Sequence, residues 1–294
     1  MNKHQKALLL SIFISLIYGI YPSFVKLSYQ EGAKASAVII LTSFIRVLFF
    51  LLSLNKEQFG QIFAKKSRLI SLKGGIFQFI STFSITLSLT YLSPPVMITV
   101  FFSYTFMFMI YLVLKKELQI TLQLVLSLIA ALFGISLVVG LWNQENHLTY
   151  QGILLVLLAG FVTFKRLYLF GKEVQKEDPN LVGARIFLVL FLFTPLSLFI
   201  SDFGYLNYRS IIYIVIAGSS LGLASLLMLY AIRDLGSFRF SIIAKTEPIF
   251  TALFAAIFLG DILDPSNYVG IFITVFSIAY YQYYEHKNRV PRID

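Results

Sequence analysis

Cysteine is absent from this chain of 294 residues, which excludes disulfide bonds, thiol catalysis and thiolate metal sites. The histidines, His4, His147 and His286, lie in predicted tails or loops, so a zinc-dependent protease site cannot be assembled from them. A phosphate-binding loop is missing too, because Gly74 and Gly75 are not followed by the required Lys and Ser or Thr. We therefore predict that the chain is not an enzyme and holds no metal or cofactor.

Charged residues are also scarce, at 13% of the chain, against roughly 25% in a typical soluble domain. Apolar residues make up 58% and occur in runs of about 20, the length that crosses a hydrocarbon core of ~30 Å. The sequence predicts an all-α polytopic membrane protein with ten transmembrane helices in the lipid bilayer. The predicted spans are residues 7–27, 35–54, 70–91, 95–114, 120–141, 150–171, 181–201, 210–231, 239–259 and 266–284.

The formal net charge is +10, but the basic residues are distributed in a way that argues against a nucleic-acid partner. Outside the predicted spans they occupy one set of alternate connections, whereas the other set holds only Lys34 and Arg209. Lys and Arg are retained on the cytoplasmic side of a membrane. This bias predicts ten spans with both termini in the cytoplasm.

Five spans in each half of the chain predict an internal repeat. A duplicated unit with an odd number of spans inserts in opposite orientations, as in carriers built from inverted repeats. We predict one five-helix repeat over residues 1–142 and a second over residues 143–294. The fourth span then corresponds to the ninth.

The stretch from Tyr230 to Gly270 resembles the closing repeat of EamA-type members of the drug/metabolite transporter superfamily. The family pattern has a Tyr-Ala end to one span, Glu-Pro within the next, a Gly-acidic pair and a late glycine. The residues at those places are Tyr230, Glu247, Pro248, Gly260, Asp261 and Gly270. In the first half, Tyr18, Gly19, Lys26 and Arg46 match further family positions, although Tyr18 and Asp261 replace the usual Trp and Glu.

Charged side chains inside the spans are the first candidate site residues, because a charge at the bilayer centre costs about 2.5 to 3.5 kcal/mol on insertion scales. Arg46, Lys245 and Glu247 lie near the midplane, where inverted-repeat carriers hold substrate. Glu247 is the only carboxylate deep inside a span, which favours contact with a cationic group or a coupling proton. The structural alternative is an ion pair of Glu247 with Arg46 or Lys165, since Lys245, two residues away, faces another direction.

Further substrate-binding or coupling candidates are Lys26, Lys165, Gln78 and Tyr104. For the two lysines the alternative is that a long stem carries the charge to the interface. Gln78 offers a side-chain amide within the third span, and Tyr104 lies in the fourth span opposite Pro248 in the proposed repeat. If several basic groups face inward, the cavity is cationic with a single acid and favours substrates that carry a carboxylate.

Prolines inside the spans predict the mechanical elements. Pro22, Pro195 and Pro248 each remove a helical hydrogen bond and bend the axis. The carbonyls that they free become polar ligands or hinge points. We predict hinges at these three positions.

We predict a secondary transporter that works by alternating access on amino acids or related small metabolites. The resemblance favours export and, with the short loops, a bacterial inner membrane. One alternative keeps the scaffold but carries organic cations, drugs or nucleotide-type metabolites. Another is a non-transporting membrane scaffold or lipid-handling protein, whose mark is a packed core without a midplane cavity. A homodimer is compatible with each alternative.

Overall fold

The computed structural model describes residues 3–63, 68–138, 149–260 and 264–288. Over these ranges the chain is helical and forms no β-strand, apart from an isolated bridge between Ala33 and Gly204. The α-helices are α1 (Lys3–Gln30), α2 (Ala35–Leu52), α3 (Lys56–Gln61), α4 (Arg68–Ser88), α5 (Pro94–Phe101), α6 (Tyr104–Leu114), α7 (Leu122–Val138), α8 (Tyr150–Glu173), α9 (Pro179–Phe193), α10 (Tyr208–Leu235), α11 (Ser237–Ile243), α12 (Glu247–Leu259) and α13 (Pro265–Asn288).

Seven helical segments within the described part are long and apolar enough to cross a membrane, which confirms a multi-pass membrane protein. Shorter apolar helices, Tyr104–Leu114 and Leu122–Leu137, lie within the predicted fourth and fifth spans. The count of ten stays a prediction, and the repeat boundary at 142/143 and Asp261 lie outside the described residues. The seven segments are Gln5–Gln30, Ala35–Leu52, Leu69–Ser88, Tyr150–Glu173, Pro179–Phe199, Tyr208–Leu235 and Ser237–Leu259.

The fourth and ninth predicted spans are broken rather than continuous. In the fourth, α5 ends at Phe101 and α6 begins at Tyr104. In the ninth, a 3₁₀ turn, Ala244–Thr246, separates α11 from α12. Pro248 is the second residue of α12, where a missing N–H costs no helical hydrogen bond. The prediction of a continuous helix kinked at Pro248 is therefore corrected to a helix that restarts there.

The other two predicted hinge prolines differ from each other. Pro195 lies at the start of a 3₁₀ helix, Thr194–Phe199, which continues directly from α9. Pro22 lies inside α1, which runs without interruption from Lys3 to Gln30. Sequence alone does not distinguish Pro22 from Pro195. Of these two, only Pro195 coincides with a change of helix type.

The helices pack in two groups. In the first group α1 packs against α10 and α12, and α2 also packs against α10. In the second group α4 packs against α8 and α9, while α8 also contacts α5 and α6. The groups meet where α2 contacts α9 and where α12 contacts α5, and the α7–α13 pair lies beside that second contact.

Polar contacts join α2 to the end of the α9 span at one face of the bundle, which we call the first face. The hydroxyl of Ser36 donates a hydrogen bond to the Ser197 carbonyl at 2.8 Å and lies 2.8 Å from the Ser201 hydroxyl. The Lys34 ammonium lies 2.9 Å from the Asp202 carboxylate. Together with the backbone N–H of Gly204, it lowers the pKa of that exposed carboxyl.

The opposite, second face carries an equivalent set of contacts. Arg185 of α9 donates hydrogen bonds to the carbonyls of Ile62 at 3.1 Å and Gln61 at 2.8 Å, and it pairs with Glu177. The Asn180 amide donates to the carbonyl that follows α2, at Ser53, over 3.2 Å. The two helices are therefore joined at both ends.

Close packing of α1 on α12 gives a test of the fold. A Cβ added at Gly19 would lie 2.8 Å from the Phe250 Cβ and 3.0 Å from backbone atoms of Phe250 and Thr251. We expect Gly19→Ala to destabilise the protein by about 1 to 3 kcal/mol, measured as a lower midpoint of thermal unfolding in detergent.

The matched control is Gly60→Ala, because nothing lies within 4 Å of a Cβ at that position in α3. Alanine favours a helix over glycine by roughly 0.5 to 1 kcal/mol, so this variant should be as stable as the unchanged protein or more so. An unchanged midpoint for Gly19→Ala would contradict the packing of α1 on α12.

Candidate functional site

A cavity lies between the two helix groups. Its walls come from α1, α2, α10, α11 and α12 on one side and from α4, α5, α6 and α8 on the other. The space open to the centres of water molecules is about 100 Å³, and one water needs roughly 10 to 15 Å³ on that measure. The cavity therefore has room for several waters or one small organic molecule. Its main polar side chains are Tyr18, Arg46, Gln78, Tyr104, Arg166 and Glu247.

The Glu247 carboxylate is half-buried at the first residue of α12 and faces this cavity. Among the described residues it has no hydrogen-bond or ion-pair partner. The ion pair with Arg46 or Lys165 that the sequence left open is not formed within 4.0 Å in this conformation. A carboxylate without a partner in a largely apolar site is available to a ligand.

Arg46 reaches the cavity from α2 and is 3% exposed. Its guanidinium carbon lies 5.1 Å from the centre of the Phe187 ring, and its Nε has no hydrogen-bond partner in the described part of the chain. A planar guanidinium binds carboxylate or phosphate groups through paired hydrogen bonds. Arg46 is therefore placed to bind an anionic group.

Arg166 of α8 supplies a second guanidinium, which was not among the predicted site residues. It donates a hydrogen bond to the Gln78 Oε1, and the Gln78 amide in turn donates to Thr82 at 2.9 Å. Lys165, which was selected, is not part of the cavity wall, and its Nζ lies 4.3 Å from the centre of the Phe161 ring. Consecutive helical residues differ by about 100° in direction, so only one of the two could face inward.

A helical pattern in the sequence could have distinguished Arg166 from Lys165. Thr163, three residues before Arg166, also lines the cavity, and its hydroxyl lies 2.8 Å from that of Ser81 on α4. Residues three apart share a helix face. The polar residue at 163 thus marks the inward face of α8, and Lys165 lies off that face.

Hydroxyl groups link other helices around the cavity. The Tyr18 hydroxyl lies 3.1 Å from that of Ser225, joining α1 to α10. The Tyr21 hydroxyl lies 2.6 Å from that of Thr86, joining α1 to α4 across the two helix groups. Tyr104 is buried, with its ring centre 5.1 Å from that of Phe101. These groups give the cavity wall both aromatic surface and hydrogen-bonding capacity.

The remaining predicted site residues divide between the cavity and other places. Pro22 is part of the cavity wall, whereas Lys26, Pro195 and Lys245 are not. The Lys26 ammonium donates to the Leu89 carbonyl at 3.0 Å, near the first face. Lys245 is fully buried and lines a separate, smaller cavity.

Comparisons with known proteins agree with a membrane carrier. Residues 150–281 match the model of the EamA-like transporter family, which confirms the resemblance found in the sequence. An uncharacterized transporter, YcbK of Bacillus subtilis (strain 168), is 25% identical over 278 residues, covering 87% of each chain. A protein solved by crystallography has the same fold, with a TM-score of 0.73 at 10% identity over 96% of this chain and 98% of that one.

Cysteine labelling tests the separation of the two cavities, since the chain has no native cysteine. We expect Glu247→Cys to react at least about tenfold faster than Lys245→Cys with 2-sulfonatoethyl methanethiosulfonate. A thiol that water reaches ionises and reacts more readily than one in an apolar site. Mass spectrometry of the protein in detergent gives the two rates.

The control for intrinsic reactivity is the same pair of variants in denaturant, where both should react alike. Equal rates in the folded protein, or a faster rate at position 245, would contradict the placement of these two side chains.

Proposed function

We propose that this EamA-like chain is a secondary transporter that moves amino acids or related small metabolites across the cytoplasmic membrane by alternating access, in the export direction. The observation that carries the proposal is the cavity between two helix groups, where Glu247 and Arg46 have no hydrogen-bond or ion-pair partner among the described residues. Partnerless charges inside a membrane protein mark a substrate or ion pathway. The scaffold alternative predicted a packed core, and the cavity weighs against it.

The packing of the helices supports two inverted five-helix repeats, over residues 1–142 and 143–294. In the proposed repeat α1 corresponds to α8, α2 to α9 and α4 to α10. The α1–α10 contact then corresponds to the α8–α4 contact, and the α2–α10 contact to the α9–α4 contact. Likewise the α1–α12 contact corresponds to the α8–α5 contact. The α2–α9 and α7–α13 contacts each join two helices that correspond to each other. The broken fourth and ninth spans correspond as well. Such repeats exchange environments when a carrier changes the side to which it opens.

The α2–α9 contact supplies a fixed axis for that change. Phe50 and Phe187 stack there with ring centres 4.7 Å apart, and polar contacts join the two helices at both faces. We propose that the helix groups pivot about this contact. The moving side is then where α12 meets α5, next to both helix breaks.

The charge distribution supports an orientation. The connections at the second face include the basic residues Lys115, Lys116, Lys172 and Lys176, so we assign that face and both termini to the cytoplasm. The first face is then on the side of the membrane away from the cytoplasm.

The cavity chemistry supports the substrate class. Two guanidinium groups and one carboxylate can bind the carboxylate and ammonium of an amino acid, each with a charge of opposite sign. Organic cations are the second candidate, because Glu247 is the one carboxylate in the cavity wall of the described structure. Both candidates depend on Glu247.

Uptake by purified protein in liposomes tests the proposal, with a tritiated mixture of L-amino acids and, separately, labelled tetraethylammonium. We expect saturable uptake of the amino acids and at least a tenfold loss in Glu247→Gln. Losing a hydrogen bond to a charged group costs about 1.5 to 3 kcal/mol, and each 1.4 kcal/mol is tenfold.

Lys165→Gln is the matched control, because it removes a charge from α8 outside the cavity wall, and its uptake should stay within about twofold of the unchanged protein. Uptake of tetraethylammonium alone would favour the cation carrier. No uptake of either compound, with Glu247→Gln merely less stable, would favour the scaffold.

A disulfide across the α2–α9 contact tests the pivot. The Ser36 and Ser201 hydroxyl oxygens are 2.8 Å apart, so cysteines at both positions should form a disulfide with little strain. We expect the oxidised double variant to retain at least half of the uptake of the unchanged protein, because α2 and α9 stay in contact when the helix groups pivot.

The comparison is a short bis-methanethiosulfonate link between Tyr21→Cys and Thr86→Cys, which spans the two helix groups. Because Tyr21 is part of the cavity wall, the reference is the same double variant without the link, and the link should reduce its uptake at least tenfold. Loss of uptake with the first link and not with the second would place the moving contact at α2–α9 instead.

A further inference from the structure

Lys245 is a fully buried basic residue in the ninth span. It lies in the 3₁₀ turn between α11 and α12, at 0% exposure. No described group accepts a hydrogen bond from its Nζ. The small cavity that it lines has no space for a water molecule. The Lys245 amine is thus cut off from water and from any counter-charge in the described structure.

The surroundings of Lys245 hold no acid among the described residues. Ser127 of α7 and Ser277 and Tyr281 of α13 line the small cavity, and Tyr281 is the one titratable group among them. From the fourth span, the ring centres of Phe102 and Phe106 each lie 5.9 Å from the Lys245 Nζ. At this distance aromatic rings attract a cation only weakly.

Glu247 does not compensate Lys245, although it is two residues away. Its carboxylate faces the main cavity, whereas Lys245 faces α7 and α13. Phe102 borders both sites, because its ring centre lies 5.9 Å from the Lys245 Nζ and the residue also lines the main cavity. A movement of the ninth-span break or of Phe102 would connect the Lys245 amine to water in the main cavity.

We propose that Lys245 is the proton-binding site that couples transport to a proton gradient, an inference that rests on the proposed carrier function. A cation without water or a partner is strongly disfavoured in such a site, so the conformation described here holds the free amine. When the ninth span moves, the amine takes one proton from water and becomes an ammonium. Before reburial as the free amine, the ammonium must release this proton to water. If the carrier has by then opened to the opposite side, one proton crosses in each cycle.

Transport under an imposed pH gradient tests this coupling, with the membrane potential clamped at zero by potassium and valinomycin and the tritiated amino-acid mixture as the probe. With one proton per substrate, a gradient of one pH unit supports about tenfold accumulation in the unchanged protein, because both correspond to 1.4 kcal/mol. Lys245→Met has a similar apolar stem without the amine. It should exchange label at equal concentrations but accumulate none.

Lys165→Met is the control and should accumulate label like the unchanged protein. The proposal is overturned if Lys245→Met accumulates normally, or if the unchanged protein exchanges label without accumulating it. It is also overturned if Glu247→Gln loses accumulation while Lys245→Met keeps it, since the proton site is then Glu247. If the unchanged protein exchanges no label, it is the carrier function for amino acids that fails.

The charge of Lys245 can be measured without any substrate. In protein labelled with ¹³C at lysine Cε and held in nanodiscs, the resonance missing from Lys245→Met identifies Lys245. We expect it at the amine position at about pH 8, where an exposed lysine is an ammonium. An ammonium position at that pH would overturn the proposal, whatever the transport assay shows. The same spectra show whether Lys245→Met is folded, because its other lysine signals should remain in place.

Discussion

Inside a lipid bilayer every backbone N–H and C=O has to find a partner within the protein, and this requirement governs where the chain can depart from a helix. The described chain is helical throughout its apolar runs, and its departures fall in the fourth and ninth spans and at the end of the α9 span. The breaks near Phe102 and Lys245 are buried between helices rather than exposed to lipid. Protein side chains therefore surround the irregular backbone and form a cavity next to it.

Much of the fold could be predicted because membrane insertion leaves a strong signal in the sequence. Apolar runs and scarce charge indicated a multi-pass helical protein, and the described helices confirm it. The break in the fourth span was not predictable in the same way, since Phe101, Phe102, Tyr104 and Phe106 are as apolar as a continuous helix requires. Phe102 and Tyr104, at that break, are buried against other helices, and hydropathy does not encode such packing.

The site, too, was predictable in part. The cost of burying charge singled out Arg46 and Glu247, and the structure places both at the cavity, together with Gln78 and Tyr104. The same cost could not separate Arg166 from Lys165, because both lie at a similar depth and differ only in direction around α8. Lys245 was selected for its depth, but its seclusion depends on α7 and α13, which lie far from it in sequence.

The contact between α2 and α9 also bears on the symmetry of the proposed repeat. In the proposed repeat these helices are equivalents, so the contact resembles the self-complementary interface of a two-fold symmetric dimer. Two half-length chains of opposite orientation would share an interface of this kind. Because the two copies lie in one chain, each can change alone: Arg46 of α2 is part of the cavity wall, whereas no residue of α9 is. The proposed repeat thus accommodates an asymmetric binding site.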